Sequence, residues 1–287
     1  MATPIAKTKE ARQREIINEL ISAISNYEAQ DSFINQSFLQ RISKEADELK
    51  EANWAMHYEL LAYIQMYKKN YLQADKYFLN AIRLQPLDTV RMLNHKWILM
   101  ALGRFDEVED WILKNYSYDS IDKYSIQSFY QISLANLEFS NLKKYIEQSY
   151  SRLSLEMDLD APKANIIELE KLANDIEQIH IDKALFKKAM IFIYRFFRKH
   201  SHNAFRPFFK IDTSDMPTLI IELFMNVEVN KAVELTSDFE EAFVDFSIEQ
   251  DDMELLRKFS VFIKPSSLLD LDKEYPVYTG INKDWVV

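Results

Sequence analysis

The residues that could do chemistry in this 287-residue sequence are five histidines and one short acidic cluster. His200 and His202 stand two apart after a basic run, and Asp212 or Asp215 could complete a divalent-metal site with oxygen. The same pair beside Arg198 and Lys199 equally describes a helix C-terminus, where cations meet the negative end of the dipole. The spacing favours this second reading. His57 and His95 fall inside amphipathic stretches, and His180 ends one. Asp251, Asp252 and Glu254 could hold a cation or serve as paired acids, but their setting reads better as a solvated acidic turn. There is no nucleophile-elbow serine, no His-Glu-x-x-His helix and no cysteine, which removes thiolate zinc sites and disulfides. Only two glycines occur, Gly103 and Gly280, where average usage of about 7% would supply roughly twenty. Phosphate-cradling loops need several within a few residues. The expectation is a protein with no catalytic residues, no metal and no cofactor.

Charge is distributed unevenly. The whole chain carries −10, yet residues 182–210 hold eight Lys or Arg against one acid. Residues 211–254 then hold thirteen acids against one lysine. Lys187, Arg195 and Arg198 lie on one face of the basic stretch; Glu234, Asp238, Glu241, Asp245 and Glu249 form a single row at helical spacing in the acidic one. All of these but Glu249 are the candidate electrostatic interface. A basic, aromatic-rich helix invites a nucleic-acid reading. The negative total and the acidic segment that follows argue against it, so the basic face is expected to meet an acidic protein surface or this chain's own acidic row.

The elements that must position these residues are mostly helices. Ile16, Ile17, Leu20, Ile21, Ile24 and Tyr27 follow the 3.6-residue period, as do Phe38, Leu39, Ile42, Ala46 and Leu49, so two helices should pair across a turn at Asp31-Ser32. Met157–Pro162 is a break. Helices over about 161–179 and 182–200 follow, the second with Leu185, Phe186, Ala189, Ile193, Phe196 and Phe197 as its apolar face. Beyond Pro217 the period changes to two: Leu219, Ile221, Leu223, Met225 and Val227 alternate, as do Phe259, Val261 and Ile263 before Pro265. A helix over about 230–248 lies between them, and Phe208–Ile211 could add a third strand. The spacing predicts a parallel, right-handed β-α-β unit. The fold class is therefore mainly α, an array of antiparallel helical hairpins followed by a small α+β unit, with domains at 1–155, 156–205 and 206–287. The N-terminus lacks the apolar core of a signal peptide, and the apolar stretch Ala189–Phe197, broken by Arg195, is too short to span a bilayer. A cytoplasmic protein with no membrane association is expected.

Between Ala55 and Asp88 the residues run in a familiar order. Tyr58, Leu61 and Ala62 stand in the first helix, Tyr71 opens the second, Ala74, Phe78 and Ala81 follow, and Pro86 closes it. This segment resembles a tetratricopeptide repeat, the 34-residue helix–turn–helix unit. Thirty-four residues on, Phe105 follows Gly103 in Leu-Gly-Arg-Phe-Asp-Glu, although Met92, His95, Lys96, Val108 and Asn115 depart from the pattern; a further step reaches Phe139, Leu142 and Ile146. The resemblance covers about residues 55–150.

The resemblance implies a concave groove lined by the first helix of each pair. Its positions here are Met56, Glu59, Tyr63, Met66 and Tyr67, then Val90, Leu93, Trp97, Met100 and Ala101. Met56, Tyr63, Met66, Tyr67, Leu93, Trp97 and Met100 are the candidate partner-binding residues, since aromatics and methionines suit an apolar segment. The alternative is that the protein's own C-terminal part covers this face. Lys and Asn residues that clamp a terminal carboxylate in chaperone-binding relatives are absent, with Glu59, Tyr63, Leu93 and Trp97 in their places. The functional expectation is a non-catalytic protein–protein interaction module, an adaptor or regulator holding a protein or peptide segment. Two alternatives stand beside it: an antitoxin or immunity-type inhibitor acting through the acidic C-terminal unit, and a nucleic-acid-associated protein acting through 182–210.

Overall fold

A computed structural model describes residues 8–30, 35–86, 89–115, 123–153, 160–200, 206–225 and 227–268. The Asp31-Ser32 turn, His202 and Gly280 lie outside them. The chain divides into two compact units, one of residues 1–102 with 197–203, the other of residues 103–196 with 204–287.

The first unit contains α1 (Lys9–Gln30), α2 (Gln36–Leu49), α3 (Trp54–Tyr67), α4 (Tyr71–Leu84) and α5 (Thr89–Ala101). Asparagines start α2, α3 and α4. Asn35, Asn53 and Asn70 accept the backbone N–H groups of Phe38, Met56 and Gln73, which satisfies orphan donors of the first turn. The core of this unit collects Ile16 and Leu20 from α1, Leu39 and Ile42 from α2, Leu60 and Tyr63 from α3, Phe78 from α4 and Ile98 from α5. Its centre is α3, whose sequence is apolar nearly all round and which α1, α2 and α4 pack against.

The second unit begins with α6 (Phe105–Asn115), α7 (Lys123–Asn136), α8 (Ser140–Leu153), α9 (Asp160–Gln178) and α10 (Lys183–His200), the last turn of α10 counting with the first unit. Then come β1 (Arg206–Asp212), β2 (Thr218–Met225), α11 (Val229–Glu249), α12 (Glu254–Lys258), β3 (Phe259–Pro265) and a short 3-10 turn at Ser266–Leu268. The sheet order is β1-β2-β3. β1 runs antiparallel to β2 with Phe209 opposite Ile221, and β3 runs parallel to β2 with Val261 opposite Ile221. The alternating residues thus form the expected β-α-β unit, with Phe208–Ile211 extended into a hairpin strand. Five residues are too few to show a helical period, which is why α12 is silent in the sequence.

Helices follow one another in neighbouring pairs, compatible with a helical repeat. One backbone detail recurs along these pairs. Lys69, Gly103 and Leu137, spaced thirty-four residues apart, all adopt the left-handed conformation, with φ of 58°, 71° and 48°. Lys69 and Gly103 precede the next helix, at Tyr71 and Phe105, by two residues, and Leu137 precedes α8, at Ser140, by three. Glycine normally fills such helix C-caps because a Cβ is strained there. Here the cap hydrogen bonds hold non-glycine residues in place: Asn70 N–H donates to Gln65 and Glu138 N–H to Ser133, and the same pattern recurs at His180 and Asp251. Gly103 is different. A Cβ there would lie 2.6 Å from Ile191 Cγ2 and 3.1 Å from Arg195 Nε. This explains how a chain with two glycines still turns its corners.

Candidate functional site

Most of the residues expected to line the groove are internal. Met56, Tyr63, Tyr67 and Met100 are buried; Met66 and Trp97 are half-buried. Tyr63 meets Phe78 of α4 edge-to-face at 5.4 Å, and Tyr67 packs on Phe38 of α2 while its hydroxyl accepts the Asn35 N–H. These side chains fill spaces between helices, and burial pushes the Tyr63 phenol up, with nearby Glu59 adding to it. The side chain of Leu93 lies outside the described residues.

Two buried polar pairs tie this region together. Arg91 donates to Glu59 at 3.0 Å, with both side chains almost wholly buried, and donates again to Gln85. His95 Nε2 lies 2.6 Å from Asp75 while its ring stacks on Phe78. His95 departs from the tetratricopeptide pattern, and Asp75 is what it serves. Sequence reasoning missed both pairs. The available signal was Glu59, the one acid in an otherwise apolar helix. His57 is also internal: its Nδ1 lies 3.0 Å from the Ala46 carbonyl, and burial lowers its pKa.

In the second unit the basic and acidic segments behave differently. α10 packs its apolar side on α11 through Phe192, whose ring lies 4.8–5.2 Å from those of Phe239, Phe243 and Phe246, and through Phe196 on Phe239. Three of its lysines reach acids elsewhere in this unit: Lys183 pairs with Glu138, Lys187 with Asp106 and Lys188 with Asp252. None of these acids belongs to the acidic row. Lys183 and Ser140 together hold the Glu138 carboxyl down at about 2. Arg195 is exposed, and the Arg198 side chain lies outside the described residues.

α11 is anchored along one side. Leu235, Phe239 and Phe243 are buried, Thr236 accepts the Ile263 N–H of β3, and Ser247 donates back to the Phe243 carbonyl. The opposite side of the helix is open. Val233, Val244 and Ile248 lie within about 60° of one another around the axis, and they are 66%, 41% and 62% exposed. Glu234, Asp238, Glu241, Asp245 and Glu249 occupy a band of about 80° beside them. Glu234 pairs with Lys231, but no ion pair joins Asp238, Glu241, Asp245 or Glu249 to another described residue.

No family model, curated protein or solved structure matches this chain. The site must therefore be read from its own geometry. Among the described residues no group of three or more His, Asp or Glu is placed to hold a metal, and no helix is long and apolar enough to cross a membrane. Asp251 and Asp252 form the C-terminal cap of α11, with Asp252 also engaged by Lys188. Asp212 accepts the Ser214 N–H in the β1–β2 turn. What remains is a helix face bearing an aliphatic stripe and an acidic band.

Proposed function

We propose that this chain is a non-catalytic protein–protein interaction protein, a tetratricopeptide-like helical array with a C-terminal β-α-β unit, and that it holds its partner on the outward face of α11. The observation that carries this reading is the pairing, on one well-anchored helix, of exposed aliphatic residues with carboxylates that no described cation neutralises. Exposed apolar side chains aligned along one element mark recognition surfaces more often than scattered ones do. The inferred groove is weaker support, because four of its seven residues are spent on packing. Engagement of Lys183, Lys187 and Lys188 by acids likewise weakens the nucleic-acid alternative.

The inhibitor alternative draws on the same carboxylates, since an antitoxin or immunity-type protein would use them to mask a basic surface. The test is co-purification from the native host with wild-type chain and a Val244→Asp/Ile248→Asp variant of unchanged circular dichroism. The variant is expected to lose the recovered partners. Equal recovery by both proteins would remove α11 from the account.

A further inference from the structure

Resting on that reading of α11, we infer that the partner presents a basic amphipathic α-helix that lies along α11, aliphatic residues against Val233, Val244 and Ile248 and Lys or Arg against the acidic band. The shape of the surface sets the shape of the occupant. Twenty-one residues make a helix about 31 Å long. The acidic band runs along most of it, from Glu234 to Glu249, and the aliphatic residues stand beside it toward the two ends, Val233 at one and Val244 with Ile248 at the other, with Ser237 between them on the same face. An isolated cation or small ligand would use only a fraction of this length. A second helix laid alongside keeps both stripes engaged over several turns, through side chains recurring every three or four residues.

Charge selects among the possible occupants. Asp238, Glu241, Asp245 and Glu249 repel nucleic acid and anionic lipid, and two copies of α11 set face to face would oppose carboxylate to carboxylate. Three lysines of the chain's own basic helix, Lys183, Lys187 and Lys188, are already engaged by Glu138, Asp106 and Asp252. A cationic helix from another polypeptide satisfies both stripes. The carboxylates would speed encounter and set orientation, and the aliphatic contacts would hold the complex.

The probe is a designed peptide of roughly five helical turns, with Leu at i, i+4, i+7 and i+11 flanked by Lys. It is titrated calorimetrically into the full chain beside a scrambled peptide of identical composition and a version with Glu for Lys. The amphipathic lysine peptide is expected to bind at least about tenfold more tightly than either control. Ile248→Ser with Val244→Ser should weaken it by roughly tenfold, whereas Asp238→Lys with Glu241→Lys should weaken it more at low salt than at high. Equal binding of the scrambled peptide, no binding of any peptide, or indifference to both variant pairs would overturn the inference. So would a concentration-dependent dimer, seen by sedimentation, that Val244→Ser abolishes. Should co-purification depend on α11 while peptides are not discriminated, the interaction reading stands and the helical, basic partner falls; should co-purification not depend on α11, the reading itself falls.

Discussion

α3 and α11 both carry carboxylates among apolar residues, yet they end in opposite conditions. α3 is surrounded by α1, α2 and α4, so its aromatics become core and its one acid, Glu59, is buried against Arg91. α11 is covered on one side by α10 and β3, and its other side keeps two valines, an isoleucine and four acids exposed, with Asp238 half-buried beside them. The difference lies in the neighbours each helix has, more than in the helix. A stripe that a repeat's second helix or a neighbouring pair covers is structure; one that no described element covers is available for recognition.

Substitutions at Glu59 should separate the two regions most sharply. Glu59→Ala leaves the Arg91 guanidinium buried without its carboxylate, and is expected to destabilise the first unit by about 3–5 kcal/mol in urea unfolding. Replacing both partners, Glu59→Leu with Arg91→Met, should restore most of that loss, because an apolar pair removes the uncompensated charge. Next in size is Gly103→Ala. The left-handed backbone and the close approach of Ile191 should together lower stability by about 2 kcal/mol or more, read as a drop in thermal midpoint.

The opposite sign is expected at His180, which is exposed and holds φ of 61°. His180→Gly relieves left-handed strain and should stabilise by up to about 1 kcal/mol. Leu137 would not respond in this way, since its buried side chain offsets the strain of its cap. Smaller still is the pH effect at Glu138. Lys183 and Ser140 hold this carboxyl near 2 in the folded chain against an ordinary value of 4.5, so its contribution is present above the ordinary value and is lost as pH falls toward 2. Both partners are more than a third exposed, so Glu138→Gln should flatten this acid limb by less than about 1 kcal/mol. On α11 the effect on stability should be smallest: Glu241→Lys is expected to stay within about 0.5 kcal/mol of wild type while changing what the protein binds.

Much of this fold could be read in the sequence because the signals were periodic. Alternation at Leu219, Ile221 and Leu223 identified β2, the return to a helical period between the two alternating runs identified α11, and the thirty-four-residue step from Tyr71 led to Phe105, which opens α6 just after the turn at Gly103. The acidic row was equally visible. What the sequence withheld was pairing in space. Nothing in the local pattern around His95 points to Asp75, twenty residues earlier, or tells that Lys187 reaches Asp106 instead of the acidic row. The groove set shows the same limit: aromatic and methionine residues at helical spacing look alike whether they line a surface or fill a core, and only the positions of α2 and α4 distinguish them for Tyr67 and Tyr63.

The most direct test places a photo-crosslinking amino acid at position 244 on α11 and, separately, at position 66 on α3, each in the full chain within its native host. The account predicts a discrete crosslinked partner from position 244 that disappears with Asp238→Lys/Glu241→Lys, and none from position 66. A partner captured from position 66 and absent from 244 would contradict it.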